Sequence, residues 1–325
     1  MTGRLVHTGQ VLLDLVMRVP APPPVGGDVF ASASSLQPGG GFNVMAAAAR
    51  AGARVLYAGG HGEGELGDAV RAALAAEGIE VAFRASRGRD TGVSVAMVDD
   101  SGERTFVTAP GAESELDPAE LAGVAVTGAD IVYLSGYSLV VKEKRDALLD
   151  WLDLVSAAAG AGAGPTVLAD PGPLVADIAP ESWARLIARV DVLSCNTREA
   201  RLLSAVPDPG AAAAELAKRV RPGAAVLVRD GAAGCWLARA GAGEELIPGL
   251  PVTVVDSNGA GDAHSGVLAA ELLRGMDLRG AVVRANAAAA LAVTRPGPAT
   301  APTRAEVDAL LAAQSPADSA GSVAP

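Results

Sequence analysis

The chain has 325 residues, half of them hydrophobic, enough for a sizeable core in one large α/β domain or two smaller ones. Its formal net charge of −11 argues against a nucleic-acid or anionic-membrane surface, since both need a basic field. It leaves room for a phosphorylated ligand held by local backbone N–H groups.

Aromatic residues make up only 3%, so the core must be built from Val, Leu, Ile and Ala. Cys195 and Cys235 show neither metal-ligand spacing nor a disulfide framework and read as buried thiols. The N-terminus lacks the pattern of a secretory leader, and no apolar run reaches the roughly 18 residues of a membrane span. A cytoplasmic protein is expected.

In chain order, Val11–Ser35 is Pro-rich and then strand-like, and a helix is predicted over Asn43–Ala51. A strand follows at Arg54–Gly59 and a helix at Leu66–Glu77. Thr91–Thr108 alternates on both sides of a turn at Asp99–Gly102, the sign of a hairpin. Strands are then predicted at Ala129–Gly136, Pro165–Asp170, Val190–Asn196, Ala224–Gly231 and Pro251–Asp256. Helices between and after them fall at Lys142–Ala159, Arg198–Ser204, Ala211–Val220, Gly261–Arg274 and Leu278–Val293. This alternation predicts an α/β fold, a mostly parallel sheet with helices on both faces. The two extended pieces, about residues 11–35 and 88–110, are expected to form a small β-sheet lid inserted in a single domain spanning 1–312. Residues 313–325 are small and polar and predict a disordered tail.

The stretch "VVDSNGAGDAHSGVLAAELLRG" (Val254–Gly275) carries the chemistry. Gly259, Ala260 and Gly261 lie where a strand-like run turns into a helix, so a ligand can approach the backbone closely. The first N–H groups of that helix lack intrahelical partners and point at the positive dipole end, which makes an anion hole. Asp262 sits in the first turn, either as a dipole-stabilising cap or as a general base that stays ionised beside the anion hole. No Gly-x-x-x-x-Gly-Lys-Ser/Thr sequence and no Gly-x-Gly-x-x-Gly after the first strand is present, which argues against a P-loop kinase or a Rossmann dehydrogenase.

"DSNGAGD" (Asp256–Asp262) resembles the Asp-Thr-x-Gly-Ala-Gly-Asp signature of the ribokinase-like (PfkB) sugar kinases, with Ser257 in place of Thr. "LQPGGGFNVMAAAARAG", "CNTREA", "VLVRDGAAGCW" and "RANAAAALAVTRPGPATAP" resemble further motifs of that family in the right order along nearly the whole chain. The resemblance implies the ribokinase-like three-layer fold and ATP-dependent phosphorylation of a sugar hydroxyl, with a pentose, ketohexose or sugar acid as acceptor. It implies Asp262 as base and the amides of Gly259, Ala260 and Gly261 as anion hole. Asp14, Gly39, Gly40, Gly41 and Asn43 would bind the acceptor; Pro38 stands where the family's first Gly is usual, and Asn43 also reads as a helix cap. Asn196 and Glu199 would position Mg²⁺ through water, although the same pair reads as ordinary capping. Arg229, Gly231, Gly234 and Asn286 would line the nucleotide, and Asp256 with backbone oxygens near Arg295 and Gly297 would hold K⁺. The scarcity of aromatics disfavours a nucleoside acceptor, and the intact Asp262 turn disfavours a non-catalytic sensor. His264 reads as a packed structural residue, Phe42 and Phe106 as core residues, and His7 and His61 belong to no constellation. A homodimer joined through the lid edge is expected.

Overall fold

The apolar β-branched runs of the central sheet become strands because both of their faces find cover. Thirteen strands in all are present among the described residues, which are 3–158 and 164–314 of a computed structural model. They are β1 (Leu5–His7), β2 (Val11–Arg18), β3 (Ala33–Gly40), β4 (Val55–Tyr57), β5 (Glu80–Val81), β6 (Val93–Val98) and β7 (Arg104–Ala109). Then come β8 (Ile131–Ser135), β9 (Thr166–Asp170), β10 (Val192–Asn196), β11 (Ala225–Arg229), β12 (Gly234–Arg239) and β13 (Gly243–Pro248).

Nine strands form the central sheet in the order β13-β12-β11-β10-β9-β8-β1-β4-β5, parallel except at β12, which pairs antiparallel with both neighbours. Alternate residues face opposite layers. Val6, Val132, Val167, Leu193 and Val226 meet the helices Lys142–Ala158, Pro180–Ile187 and Pro209–Ala217. Their neighbours Leu5, Ile131, Leu168, Val192 and Leu227 meet Gly41–Arg50, Glu65–Ala76, Ala260–Leu273 and Leu278–Ala292. Leu134, Leu148, Leu152, Leu168 and Leu268 are fully buried, each contributing about 1.5–3 kcal/mol. That exceeds the spread of helix propensities among ordinary residues, about 0.7 kcal/mol, so packing rather than Ala content holds the layers together.

The lid is a separate four-stranded sheet, β3-β2-β6-β7, with β2 and β6 parallel and the outer pairs antiparallel. Its first piece reaches Gly40 rather than ending near residue 35, so the glycine run is part of a lid strand. Its root is fastened from below. The buried Glu113 carboxylate accepts from the amides of Gly92 (2.7 Å) and Gly111 (2.9 Å), at the two ends of the β6–β7 hairpin. Lys144, also buried, donates to the Glu113 carbonyl at 2.9 Å.

Several expectations are corrected. Pro251–Asp256 is not a strand: it has no ladder partner among the described residues, the chain bends at Val255, and Val254 and Val255 are exposed. Its apolar alternation imitates a strand, but it leaves β13 beyond the end of the sheet, and Val255 and Asp256 donate instead to the Val293 carbonyl. The short β1, the β12–β13 pair and the helices Pro180–Ile187 and Arg304–Gln314 are additional to the predicted elements. That last helix carries ordered chain past residue 312; the rest of the expected tail, from 315, and the expected helix end Ala159 lie outside the described residues. No described helix is long and apolar enough to cross a membrane.

Candidate active site

Parallel strands gather whatever follows their last residues along one edge, the usual ligand side of an open α/β sheet. β8, β9, β10 and β11 lie side by side, and registers pair Ser135 with Asp170 and Asn196 with Arg229. Arg229 anchors this edge: its guanidinium lies 3.0 Å from Asp170, 3.9 Å from Glu199 and 2.6 Å from the Ser194 hydroxyl, with its side chain 14% exposed. Burial disfavours its charge, but Asp170 and Glu199 outweigh burial and hold it firmly protonated. Burial and the neighbouring Asp170 push the Glu199 carboxyl up. Asn196 and Glu199 form a reciprocal capping box on the helix Thr197–Ser204. Asn196 donates from N (2.8 Å) and Nδ2 (2.8 Å) to Glu199 and accepts from the Glu199 amide (2.9 Å).

The glycine turn lies over this edge. Gly259 adopts φ 74°, and a Cβ there would fall 1.8 Å from the Pro298 carbonyl oxygen, so both conformation and space demand glycine. It caps the helix Ala260–Leu273. The amides of Gly259, Gly261 and Asp262 meet no protein acceptor among the described residues, whereas the Ala260 amide turns to the Ser257 carbonyl at 3.4 Å. Ala260 is thus the expected anion-hole member whose N–H is diverted, and Gly261 packs on Arg229.

Asp262 is partly buried and accepts from Asn43 Nδ2 at 3.0 Å. The chain brings these residues together from opposite ends through small side chains. One turn along each helix, a Cβ at Gly266 would lie 2.4 Å from the Val44 carbonyl oxygen and 2.6 Å from the Ala47 Cβ. The two helices therefore touch backbone to backbone, and Asn43 and Asp262 face each other one turn earlier. Burial pushes the Asp262 carboxyl up to about 6, with Asp170 and Asp14 adding to the rise and Asn43 and Arg229 opposing it. Proximity to the helix dipole therefore does not leave it an ordinary carboxylate; desolvation wins. Asn43 Oδ1 is buried and has no partner among the described residues.

Asp14, on β2, faces the same space from the lid. Burial pushes it up to about 6 as well. It pairs in register with Gln37, and a Cβ at Gly39 would meet its carboxylate at 2.0 Å. Gly40 takes φ 62°, and the Gly41 amide donates to the Gln10 carbonyl at 2.8 Å, which turns the chain into the Asn43 helix. Pro38 sits in β3, an edge strand, where a missing N–H is tolerated.

On the other flank, Gly231 (φ 54°) and Gly234 (φ 115°) shape the β11–β12 connection. Asn286 is buried and spends its amide on the carbonyls of Ile247 (2.9 Å) and Pro248 (3.1 Å), fixing the end of β13. Asp256 accepts from the amides of Asn258 (2.9 Å) and Gly297 (3.1 Å) and pairs with Arg104 of β7. The Arg295 side chain goes to the Thr300 carbonyl and Glu306. His264 is buried and held neutral, its pKa lowered to about 3 by burial and the nearby Arg229; His7 and His61 are also buried. Phe42 is core, while Phe106 is exposed on β7 rather than packed inside. Asp170, Ser194, Tyr137 and Arg104 are site residues beyond those read from sequence. Asp170 ends a predicted strand, which was a signal. Tyr137 follows β8, and burial with Asp262, Glu199, Asp170 and Asp14 raises its pKa.

A base candidate beside free amides, at the carboxyl edge of this sheet and under this lid, matches a known family. Residues 3–305 fit the model of the pfkB family carbohydrate kinases. The chain belongs to that family. The protein described as "Uncharacterized sugar kinase YegV" of Escherichia coli (strain K12) is 31% identical over 302 residues, 92% of this chain and 91% of that protein. The Arabidopsis thaliana ribokinase complexed with ribose and ATP superposes with a TM-score of 0.78 at 25% identity, covering 96% of this chain and 99% of that one. The Salmonella enterica aminoimidazole riboside kinase, complexed with aminoimidazole riboside and an ATP analog, gives 0.77 at 26% identity, covering 95% and 100%. This pfkB-family chain is an ATP-dependent carbohydrate kinase with the ribokinase fold.

Proposed function

We propose that the chain transfers the γ-phosphoryl group of ATP to a sugar hydroxyl held between Asp14 and Asn43. The observation that carries this is the Asp262–Asn43 pair set one residue from the free Gly261 amide. The acceptor O–H gives its proton to Asp262, and the oxygen attacks the γ-phosphorus. The bond from that phosphorus to the bridging oxygen breaks, leaving its electron pair on ADP. The amides of Gly259, Gly261 and Asp262 receive the charge of the transferring group. Asn43 holds the carboxylate in line, and its free Oδ1 accepts from the acceptor.

Hard oxygens of Asp170, Asn196 and Glu199 suit Mg²⁺, which keeps most of its waters. Both Glu199 oxygens are already bonded to Asn196, and no three His, Cys, Asp or Glu side chains among the described residues form a cage, so contact runs through water. Bound there, Mg²⁺ would draw charge from the phosphates.

A panel of pentoses, ketohexoses, sugar acids and ribosides, read by ADP release, tests this. Asp262→Asn should lower kcat about 10²–10⁴-fold with little change in ATP affinity. Near-normal turnover in that variant would sink the base assignment. A riboside is the second reading, favoured by Tyr137, an aromatic residue that follows β8 and lies close enough to Asp262, Glu199, Asp170 and Asp14 to feel their charge; it gains if ribosides outperform free sugars. Leu36 and Val107 lie in one cross-strand row of the lid and are exposed, which supports a homodimer through that face. Light scattering should give twice the chain mass, and a monomer at micromolar concentration would refute it.

A further inference from the structure

Asp256 precedes the glycine turn by three residues, and three segments converge on its carboxylate. Arg104 is the first residue of β7 and comes from the lid. The Asn258 amide comes from the turn, and the Gly297 amide from the loop after helix Leu278–Ala292. Both Asp256 oxygens are therefore engaged by donors. Its side chain is 16% exposed and that of Arg104 25%, so the pair is shielded enough to matter. Burial alone would raise the Asp256 carboxyl, but the two amides and the Arg104 charge hold it below its ordinary value.

A bound monovalent cation would need that carboxylate and several carbonyl oxygens turned inward. Gly297 instead presents its N–H to Asp256, and the Thr300 hydroxyl lies between the carbonyls of Ala292 (3.0 Å) and Gly297 (3.3 Å). The donor set does not fit K⁺, because a fixed positive charge already occupies the carboxylate.

We infer that Arg104 is the resident cation of the Asp256 loop, so that this chain keeps its anion-hole turn in place without a monovalent metal ion. The guanidinium supplies the charge, and it does so from the lid. Closing the lid over the acceptor and steadying the turn beneath the phosphate are thereby one event. This rests on the phosphoryl-transfer reading only for its activity arm; the thermal arm needs no turnover.

The test compares thermal unfolding, with and without ATP, in KCl and in tetramethylammonium chloride at equal ionic strength. Wild type should show the same Tm in both salts. Arg104→Ala should lose Tm equally in both salts, since the inward Gly297 N–H offers K⁺ no carbonyl set in place of the guanidinium, and adding Asp256→Asn should cost little more. Arg104→Lys should behave as wild type. In the kinase assay, Arg104→Ala should lose about tenfold in kcat/KM for ATP in either salt, equivalent to 1.4 kcal/mol. A K⁺-dependent Tm rise in wild type that Asp256→Asn removes would overturn the inference. So would an Arg104→Ala protein that matches wild type in both salts, or one whose lost Tm K⁺ restores and tetramethylammonium does not.

Discussion

The carboxyl edge of β9–β11 and the four-stranded lid manage charge in opposite ways. At the edge, Arg229, Asp170, Glu199, Asn196 and Ser194 form one continuous, mostly buried network in which each group holds another. The lid is fixed at its root by Glu113 and held near its tip by Arg104, while β7 between them is exposed along nearly all its length. The difference follows from solvent access. A buried charge must be partnered or it destabilises the fold, whereas an exposed strand tolerates sparse anchoring. The edge is held by a continuous network, and the lid by separate anchors at its root and near its tip.

The largest effect should come from breaking the edge. Arg229→Met leaves Asp170 and Glu199 facing each other without a cation and should destabilise by about 3–5 kcal/mol in urea unfolding. A loss below about 1 kcal/mol would mean the network is not the support described. Loosening the lid root should act differently. Glu113→Gln replaces one acceptor with a donor facing an amide, which costs about 1–3 kcal/mol. It should raise KM for the acceptor more than KM for ATP, because the hairpin covers the acceptor; equal changes in both would erase the distinction between the two regions.

The smallest effect sharpens the comparison by pH. Asp262 belongs to the fixed side and Asp14 to the lid, and both are pushed up to about 6 by burial. Asp262 takes the proton only when ionised, and Asp14 binds hydroxyls more strongly as a carboxylate, so kcat/KM should fall as pH drops through 6. With both groups titrating, the acid limb should steepen toward about a hundredfold per pH unit. Asp14→Asn should return it to about tenfold, since one titrating group remains. A tenfold limb in wild type would show that Asp14 does not need its charge.

The family's motif residues were legible because their local chemistry is sequential. Gly259, Gly261 and Asp262 share one turn, Asn196 and Glu199 share one cap, and short apolar, β-branched runs set between helical patterns announced most central strands. Pro251–Asp256 misled because alternation reports half-burial and says nothing about a ladder partner. The three-residue β1 was too short to show a period.

By itself, then, the sequence determined the α/β class, the glycine turn and the identity of the base candidate, because these depend on neighbours in the chain. Only the tertiary structure decided that Asn43 meets Asp262 across 219 positions, that Arg229 closes on Asp170 and Glu199, and that Arg104 reaches Asp256. It also decided that burial pushes the Asp262 carboxyl up to about 6. Each of these depends on burial and on close approach of distant segments, such as the backbone contact at Gly266, and no local spacing encodes them.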